Sequence, residues 1–354
     1  MADNTNKLSM YLDQNALDKL KKKGTDALFS SLRDTFNFVY SDATLREIHK
    51  AGINANDSEK IAEFIILLTK LEATYFQLPD ISSNSDAQPY QCADTPCNVY
   101  LRLGDEVLRY DEFIQPMLKT GLAVYDGIKD YDEFGSSQIN AMSALNGFIS
   151  DNFAFFKHEI ENYPDEDVRS YFEPFINQGF QEIQTLASNL DDFEKSVKLM
   201  NENLKEANQD QSIANTIRDI YCINIDNLKK IEGSNALNRI FEYLDAVKPD
   251  DFPQLREVYS SIFNEHERIF IRVSLIYDFL NLIGYYPDES LNKENKFLRS
   301  CLDRHHAMLG CFCDIFITQD KRFIKKMKVI FEYFNIATEI YDIEVLGDDI
   351  NFLE

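Results

Sequence analysis

The chain lacks any apolar run that approaches the length of a bilayer span; the best candidate, residues 61–68 (IAEFIILL), is far too short. No N-terminal stretch combines basic residues, an apolar run and a small-residue cleavage site, so no secretory leader is expected. The reading that follows is a soluble, cytoplasmic protein with no membrane partner. A glycine-rich phosphate loop and a nucleophile elbow are both missing, which removes the ground for an unrelated α/β hydrolase. The six cysteines (Cys92, Cys97, Cys222, Cys301, Cys311 and Cys313) fit no zinc framework, and without a leader they are expected reduced. Cys311 and Cys313 read as small buried hydrophobes.

A basic excess is missing as well, since the net charge is −24. That balance looks hostile to nucleic acid, whose binding is driven by positive surface. The charge is unevenly placed, however. Residues 80–295 hold 39 acids against 18 Lys and Arg, while the flanking 1–79 and 296–354 hold 21 against 18. The two ends together are therefore close to neutral, which suggests one unit made from the ends and another from the middle. With 354 residues, 44% hydrophobic, 27 Phe and 18 Tyr, a sizeable packed core is assured.

Along the chain, strand and helix signals alternate at first. LSMYLD (8–13) is a short apolar run ending in an acid, followed by a helical pattern that Gly24 stops. DALFSSLRD (26–34) reads as a helix and FNFVYS (36–41) as a strand. SDATLREIHKAG (41–52) and residues 57–76 read as two further helices. Residues 79–99, rich in Pro, Ser, Asn and Asp, break the pattern as a linker. From about 100 to 295 the patterns are helical, the longest at 165–210 with a break expected near Pro174 and Gly179, and another at 252–286. After 295 the alternation returns: a helix, the strand CDIFIT (313–318), a helix from Asp320 and a last strand, ATEIYD (337–342). The expected fold class is α/β, a parallel sheet sandwiched by helices and split by a large all-α insertion. The expected boundaries are 1–79 and 296–354 for the α/β halves, 80–99 for the linker and 100–295 for the acidic insertion.

In parallel α/β sheets, ligands bind outside the carboxyl ends of the strands. Asp13 ends the first strand, Ser41 ends the second, and Glu47 lies on the helix after it. Asp320 sits two residues past 313–318, and Asp303 begins the helical stretch that leads into that strand. Four acids from distant positions can thus meet at one sheet edge. Close carboxylates raise each other's pKa unless a cation neutralises them, and hard oxygen ligands select Mg²⁺ or Mn²⁺ over zinc. Acids at strand ends also cap helices and face solvent with no such purpose.

YLDQNAL with Asp13, VYSDATLREI with Ser41 and Glu47, and CDIFITQDKRF with Thr318 and Asp320 together resemble a PIN domain, a metal-dependent nuclease fold. LDRHHAMLGCFCDIFITQDKRF is similar to that family's closing motif: an acid beginning a helix, an apolar strand, Thr, any residue, Asp. The resemblance covers roughly 8–75 and 296–342 and leaves the insertion outside the compact family pattern. It implies that Asp13, Glu47, Asp303 and Asp320 are the catalytic acids and ligands of one or two Mg²⁺ or Mn²⁺. It also implies that Asn15 and Thr318 orient them, and that the products carry 5′-phosphate and 3′-hydroxyl ends. Asp314, immediately before the strand, is a rival third ligand. Asp303 is preferred because the entry end of that strand should lie far from Asp13. His306, one helical turn after Asp303, can face the site and contact phosphate, or pack as an ordinary core histidine.

Two basic clusters flank the acids. DKLKKKG carries Lys19 and Lys22, and DKRFIKKMK carries Lys321, Arg322 and Lys325. Either they hold the phosphates around a scissile bond or they are solvated surface. The expected activity is metal-dependent endonucleolytic hydrolysis, of RNA rather than DNA, of a toxin-like or host-defence kind. The alternative is a non-catalytic scaffold whose acidic helical insertion binds proteins. A protein regulator or a second copy of the chain is a further partner class that the insertion allows.

Overall fold

A computed structural model of the chain describes residues 7–23, 26–55, 58–79, 87–92, 94–109, 115–259 and 268–344. No helix among them is long and apolar enough to cross a membrane. The protein is α/β, with a six-stranded, mostly parallel sheet and many helices. The strands are β1 (Leu8–Leu12), β2 (Phe36–Ser41), β3 (Thr74–Gln77), β4 (Tyr90–Cys92), β5 (Ile315–Thr318) and β6 (Glu339–Asp342). Their order across the sheet is β4-β3-β2-β1-β5-β6. All neighbours run parallel except β3 and β4, which are antiparallel.

Side chains alternate across the sheet, as the two-residue period of a strand requires. Met10, Leu12, Phe38, Tyr40, Ile315 and Ile317 enter one core, with Leu45, Ile48, Phe64 and Leu68 from helices Asp42–Ala55 and Ser58–Lys70. Tyr11, Val39 and Phe316 enter the other. That second face is covered by Leu237, Ile240 and Phe241 of helix Ala236–Val247, Val273, Ile276 and Tyr277 of helix Ile269–Ile283, and Met327 and Ile330 of helix Lys321–Tyr333. Burial on both faces explains why β5 is apolar at every position but its last.

The chain divides into two compact units: Met1–Val107 with Ala214–Ser290 and Arg299–Glu354, and Leu108–Ile213 with Leu291–Leu298. The boundaries differ from the expected 1–79, 80–99, 100–295 and 296–354. Residues 214–290 belong to the sheet-bearing unit because their helices supply the cover of its Tyr11, Val39 and Phe316 face. Within the expected linker, 80–86 and 93 lie outside the described residues, while 90–92 form β4 and 96–109 form helix Pro96–Arg109. The expected helix at 57–76 stops at Lys70. Glu72 takes a left-handed φ of 50° and turns the chain into β3, where Thr74, Tyr75 and Phe76 suit a strand.

The second unit contains three successive helices, Tyr131–Glu161, Glu166–Ser188 and Leu190–Ala207. Asp130 caps the first by accepting from the Asp132 and Glu133 N–H groups. Pro174 lies inside the second without ending it, and the break falls at Asn189. Gln138 and Asn201 meet in a buried hydrogen bond of 3.3 Å between the first and third.

Candidate functional site

The parallel register sets the site. Leu12 of β1 stands opposite Ile317 of β5, so Asp13 emerges beside Thr318 at the carboxyl edge. Asp13 also starts helix Gln14–Lys23: its Oδ1 accepts the Ala16 N–H at 2.7 Å, and its carbonyl accepts the Leu17 N–H at 3.0 Å. Its Oδ2 accepts the Thr318 hydroxyl at 2.5 Å. Thr318 Oγ1 in turn accepts the Asp320 N–H at 3.1 Å, so one hydroxyl ties two of the expected acids together. Asp320 caps helix Lys321–Tyr333, accepting from the Arg322 and Phe323 N–H groups.

Glu47 approaches from helix Asp42–Ala55, and Asp303 and His306 from helix Glu294–Gly310. His306 is buried between Glu47 and Tyr11, its Nε2 3.1 Å from Glu47 Oε2 and its Nδ1 2.6 Å from the Tyr11 hydroxyl. That phenol also lies 2.7 Å from Ser41 Oγ and 3.4 Å from Thr44 Oγ1. The result is a buried polar chain from Glu47 through His306 and Tyr11 to the end of β2.

Electrostatics brings three acids into one field. Burial pushes Asp13 up to about 6, and Glu47 adds to that rise. Burial also lifts Asp303 well above the carboxylate range, with Asp288 and Glu47 raising it further. Glu47 goes the other way. Burial would raise it, but His306, Arg299 and the Gln14 N–H hold it below its usual value. Burial would likewise lower His306, yet Glu47, Asp13 and Asp303 hold it above the ordinary histidine value. A cation on His306 donates from both ring nitrogens, to Glu47 and to Tyr11.

A second polar cluster adjoins the first. Lys326 is fully buried, with its ammonium 2.6 Å from Asp288 Oδ1, 3.0 Å from Asn281 Oδ1 and 3.8 Å from the centre of the Tyr277 ring. Asp288 Oδ2 accepts from Ser300 at 2.6 Å, Tyr277 at 2.9 Å and Asn281 at 3.0 Å. Burial lowers the Lys326 pKa, while Asp288, Asp303 and Asp320 act to raise it, which places the ammonium in the field of the site acids. Sequence reading counted Lys326 among the phosphate-contacting cations after Asp320, whereas it is fully buried, and it missed Asp288 and Tyr11. A signal existed for Lys326, which falls on the apolar stripe of Phe323, Met327 and Ile330, where a charged residue is out of place.

The other expected site residues are placed as follows. Asp314 lies at the entry end of β5, where Oδ2 accepts the Ser9 N–H and hydroxyl, each at 2.7 Å; the strand separates it from Asp13. Asn15 is half-buried in the first turn after Asp13, and Ser41 is buried at the end of β2. Most of the expected phosphate-contacting cations are engaged locally: Lys19 with Glu344, Lys22 with Asp18, Arg322 with Glu289 at 2.7 Å and Lys325 with Glu232 at 3.0 Å. Lys321 is exposed in the first turn after Asp320. His305, beside His306, lies 2.9 Å from Asp42.

Carboxylates of this kind are hard donors suited to Mg²⁺ or Mn²⁺. Burial is the largest cause of the rise in both Asp13 and Asp303, and Glu47 adds to each. Among the described residues, no group of three or more His, Cys, Asp or Glu side chains stands in a metal-holding arrangement. Compared with known proteins, the chain matches no protein-family model, no curated protein and no solved structure.

Proposed function

We propose that the carboxyl edge of the sheet is the active site of a PIN-like, Mg²⁺- or Mn²⁺-dependent endonuclease that hydrolyses phosphodiester bonds, of RNA rather than DNA. The observation that supports this reading is that Glu47, remote in sequence from both, acts on Asp13 and on Asp303 and raises each, beside the Asp13–Thr318–Asp320 hydrogen-bond link. A protein that needed only a stable sheet end has no use for such crowding, which costs free energy in the absence of a cation.

Asp13, Glu47 and Asp303 would hold the ion, with Asp320 at the rim. When bound, a divalent cation activates water and neutralises the charge of the phosphodiester. The protein's own part is positional. Thr318 and the Ala16 N–H fix both oxygens of Asp13, so its carboxylate plane does not rotate. His306 holds Glu47 through its Nε2, 3.1 Å from Glu47 Oε2. Lys326, paired with Asp288, adds a buried positive charge in the field of Asp303 and Asp320.

A second reading is favoured by one specific observation: Glu47 is already matched by His306, and Asp288 by Lys326. On that reading the network is structural, and the protein is a non-catalytic scaffold that binds proteins through its acidic helices. Cleavage of labelled single-stranded RNA and DNA with Mn²⁺ or Mg²⁺, by wild type and Asp13→Asn, separates the two. Loss of cleavage with EDTA and in the variant supports the nuclease. Absence of cleavage together with no Mn²⁺-dependent rise in Tm supports the scaffold.

A further inference from the structure

The second unit carries a surface that the sheet-edge site does not explain. Helices Tyr131–Glu161 and Glu166–Ser188 form a hairpin whose tip is rich in exposed rings. Phe155 and Tyr171 are each 66% exposed and Phe175 is 57%, with Phe156, Tyr163 and Phe180 also exposed. They are not scattered. Phe156 meets Phe172 edge-on at 6.0 Å, Phe172 meets Tyr171 at 5.2 Å, and Tyr171 meets Phe175 at 5.8 Å. The chain of rings crosses from one helix to the other, so it forms a continuous apolar strip. Behind it the helices are tightly seated, since a Cβ on Gly179 would come within 2.5 Å of the Phe153 ring. A contiguous exposed aromatic strip marks an interaction surface.

Charge selects the occupant. Residues 153–176 carry Glu159, Glu161, Asp165, Glu166, Asp167 and Glu173 against Lys157 and Arg169. Both cations are turned to the hairpin's own groups: Lys157 to Glu161 at 3.7 Å and the Phe180 ring at 5.6 Å, Arg169 to the Tyr163 carbonyl at 2.5 Å. The stretch that bears the strip is thus net acidic, with all six acids exposed. Exposed rings can stack nucleic-acid bases, but a net negative stretch repels the phosphates that come with them. A second copy would bring the same acids against this stretch.

We propose that the tip of this hairpin is a docking surface for a basic amphipathic helix of a partner protein, its aliphatic face on the Phe156–Phe172–Tyr171–Phe175 strip and its lysines or arginines toward the exposed acids. The mode is recognition of an amphipathic helix by its apolar face, with aromatic anchors and with charge setting the choice of partner. It does not depend on the sheet-edge site being a nuclease.

The test uses the full chain and three labelled model helices that share one leucine face, with Lys, Gln or Glu on the polar face, read by fluorescence anisotropy. The Lys helix should bind with Kd in the micromolar range, about 10-fold or more tighter than the Gln helix, and the Glu helix should not bind. A Tyr171→Ser/Phe175→Ser double variant should lose about 10-fold or more of that affinity with its melting curve unchanged. Glu159→Lys/Glu166→Lys/Glu173→Lys should reverse the preference toward the Glu helix. The proposal is overturned if the Lys helix does not bind, if the serine variant binds as wild type does, or if charge reversal leaves the preference unchanged. It is also overturned if sedimentation shows a dimer that the serine variant dissolves.

Discussion

The hydroxyl of Thr318 donates to Asp13 Oδ2 across 2.5 Å, joining residues 305 positions apart in the chain. Both are buried, so water cannot replace the bond. Thr318→Val keeps the shape and removes the donor, leaving a buried carboxylate oxygen unsatisfied at a cost of about 1–3 kcal/mol. Urea denaturation at neutral pH should show that loss, and Thr318→Ser should recover most of it. Equal stability of all three proteins would mean that the bond carries nothing.

Asp13, pushed up to about 6 by burial and by Glu47, gives stability a definite slope with pH. In the unfolded chain an aspartate titrates near 3.9. The folded pKa is the higher one, so the stability is fully present below the unfolded value and is lost as pH rises through the folded one. His306, whose folded pKa is also raised, adds a loss in the same direction, from about 6.5 upward. The Asp13 contribution should therefore be lost between about pH 4 and 6, so that relative to wild type Asp13→Asn should be the more stable protein at pH 7 by about 1–3 kcal/mol. At pH 4 the difference should vanish. Chemical denaturation at the two pH values checks the sign.

Lys326 and Asp288 form a buried pair at 2.6 Å. Removing one partner leaves an uncompensated buried charge, so Lys326→Met and Asp288→Asn should each destabilise by about 3–5 kcal/mol. The double variant should recover a large part of that loss. Additive losses in the denaturation midpoints would mean that the two groups act independently.

Of the two candidates for the third acid, Asp314 stands at the entry end of β5 and Asp303 on helix Glu294–Gly310. Asp303 shares the field of Glu47 and His306, whereas Asp314 is bound to Ser9. Mn²⁺ titration followed by Tm should give a rise of a few degrees in wild type and in Asp314→Asn, and none in Asp303→Asn. A rise lost in Asp314→Asn and kept in Asp303→Asn would move the site to the other edge.

Much of the sheet was readable from short-range pattern. Apolar runs at 8–12, 36–41 and 315–318 become β1, β2 and β5, because parallel strands buried on both faces need nothing but apolar side chains. Strand β3 was hidden inside a helical reading, since Leu67, Leu68 and Leu71 continue the helical spacing and the turn at Glu72 has no glycine to mark it. Placing residues 214–290 with the sheet was beyond local pattern, because an apolar helix reads alike whether it covers a sheet or a neighbouring helix. At the site, Asp13 was legible as an acid at a strand end, and Glu47 and Asp303 as acids on helices next to strands. The roles of Tyr11, Asp288 and Lys326 were not, as they arise from contacts between segments tens to hundreds of residues apart.

The sheet order also bears on how the protein is made. Strand β1 lies between β2 and β5, so one of its edges gains a partner soon after synthesis while the other must wait for residues 315–317. At about 5–20 residues per second, roughly 300 intervening residues take about 15–60 s to leave the ribosome. During that interval the Met10–Leu12 edge offers open backbone donors and acceptors to any passing strand. A nascent chain stalled before residue 315 should therefore depend on a chaperone, and release past residue 342 should end that dependence.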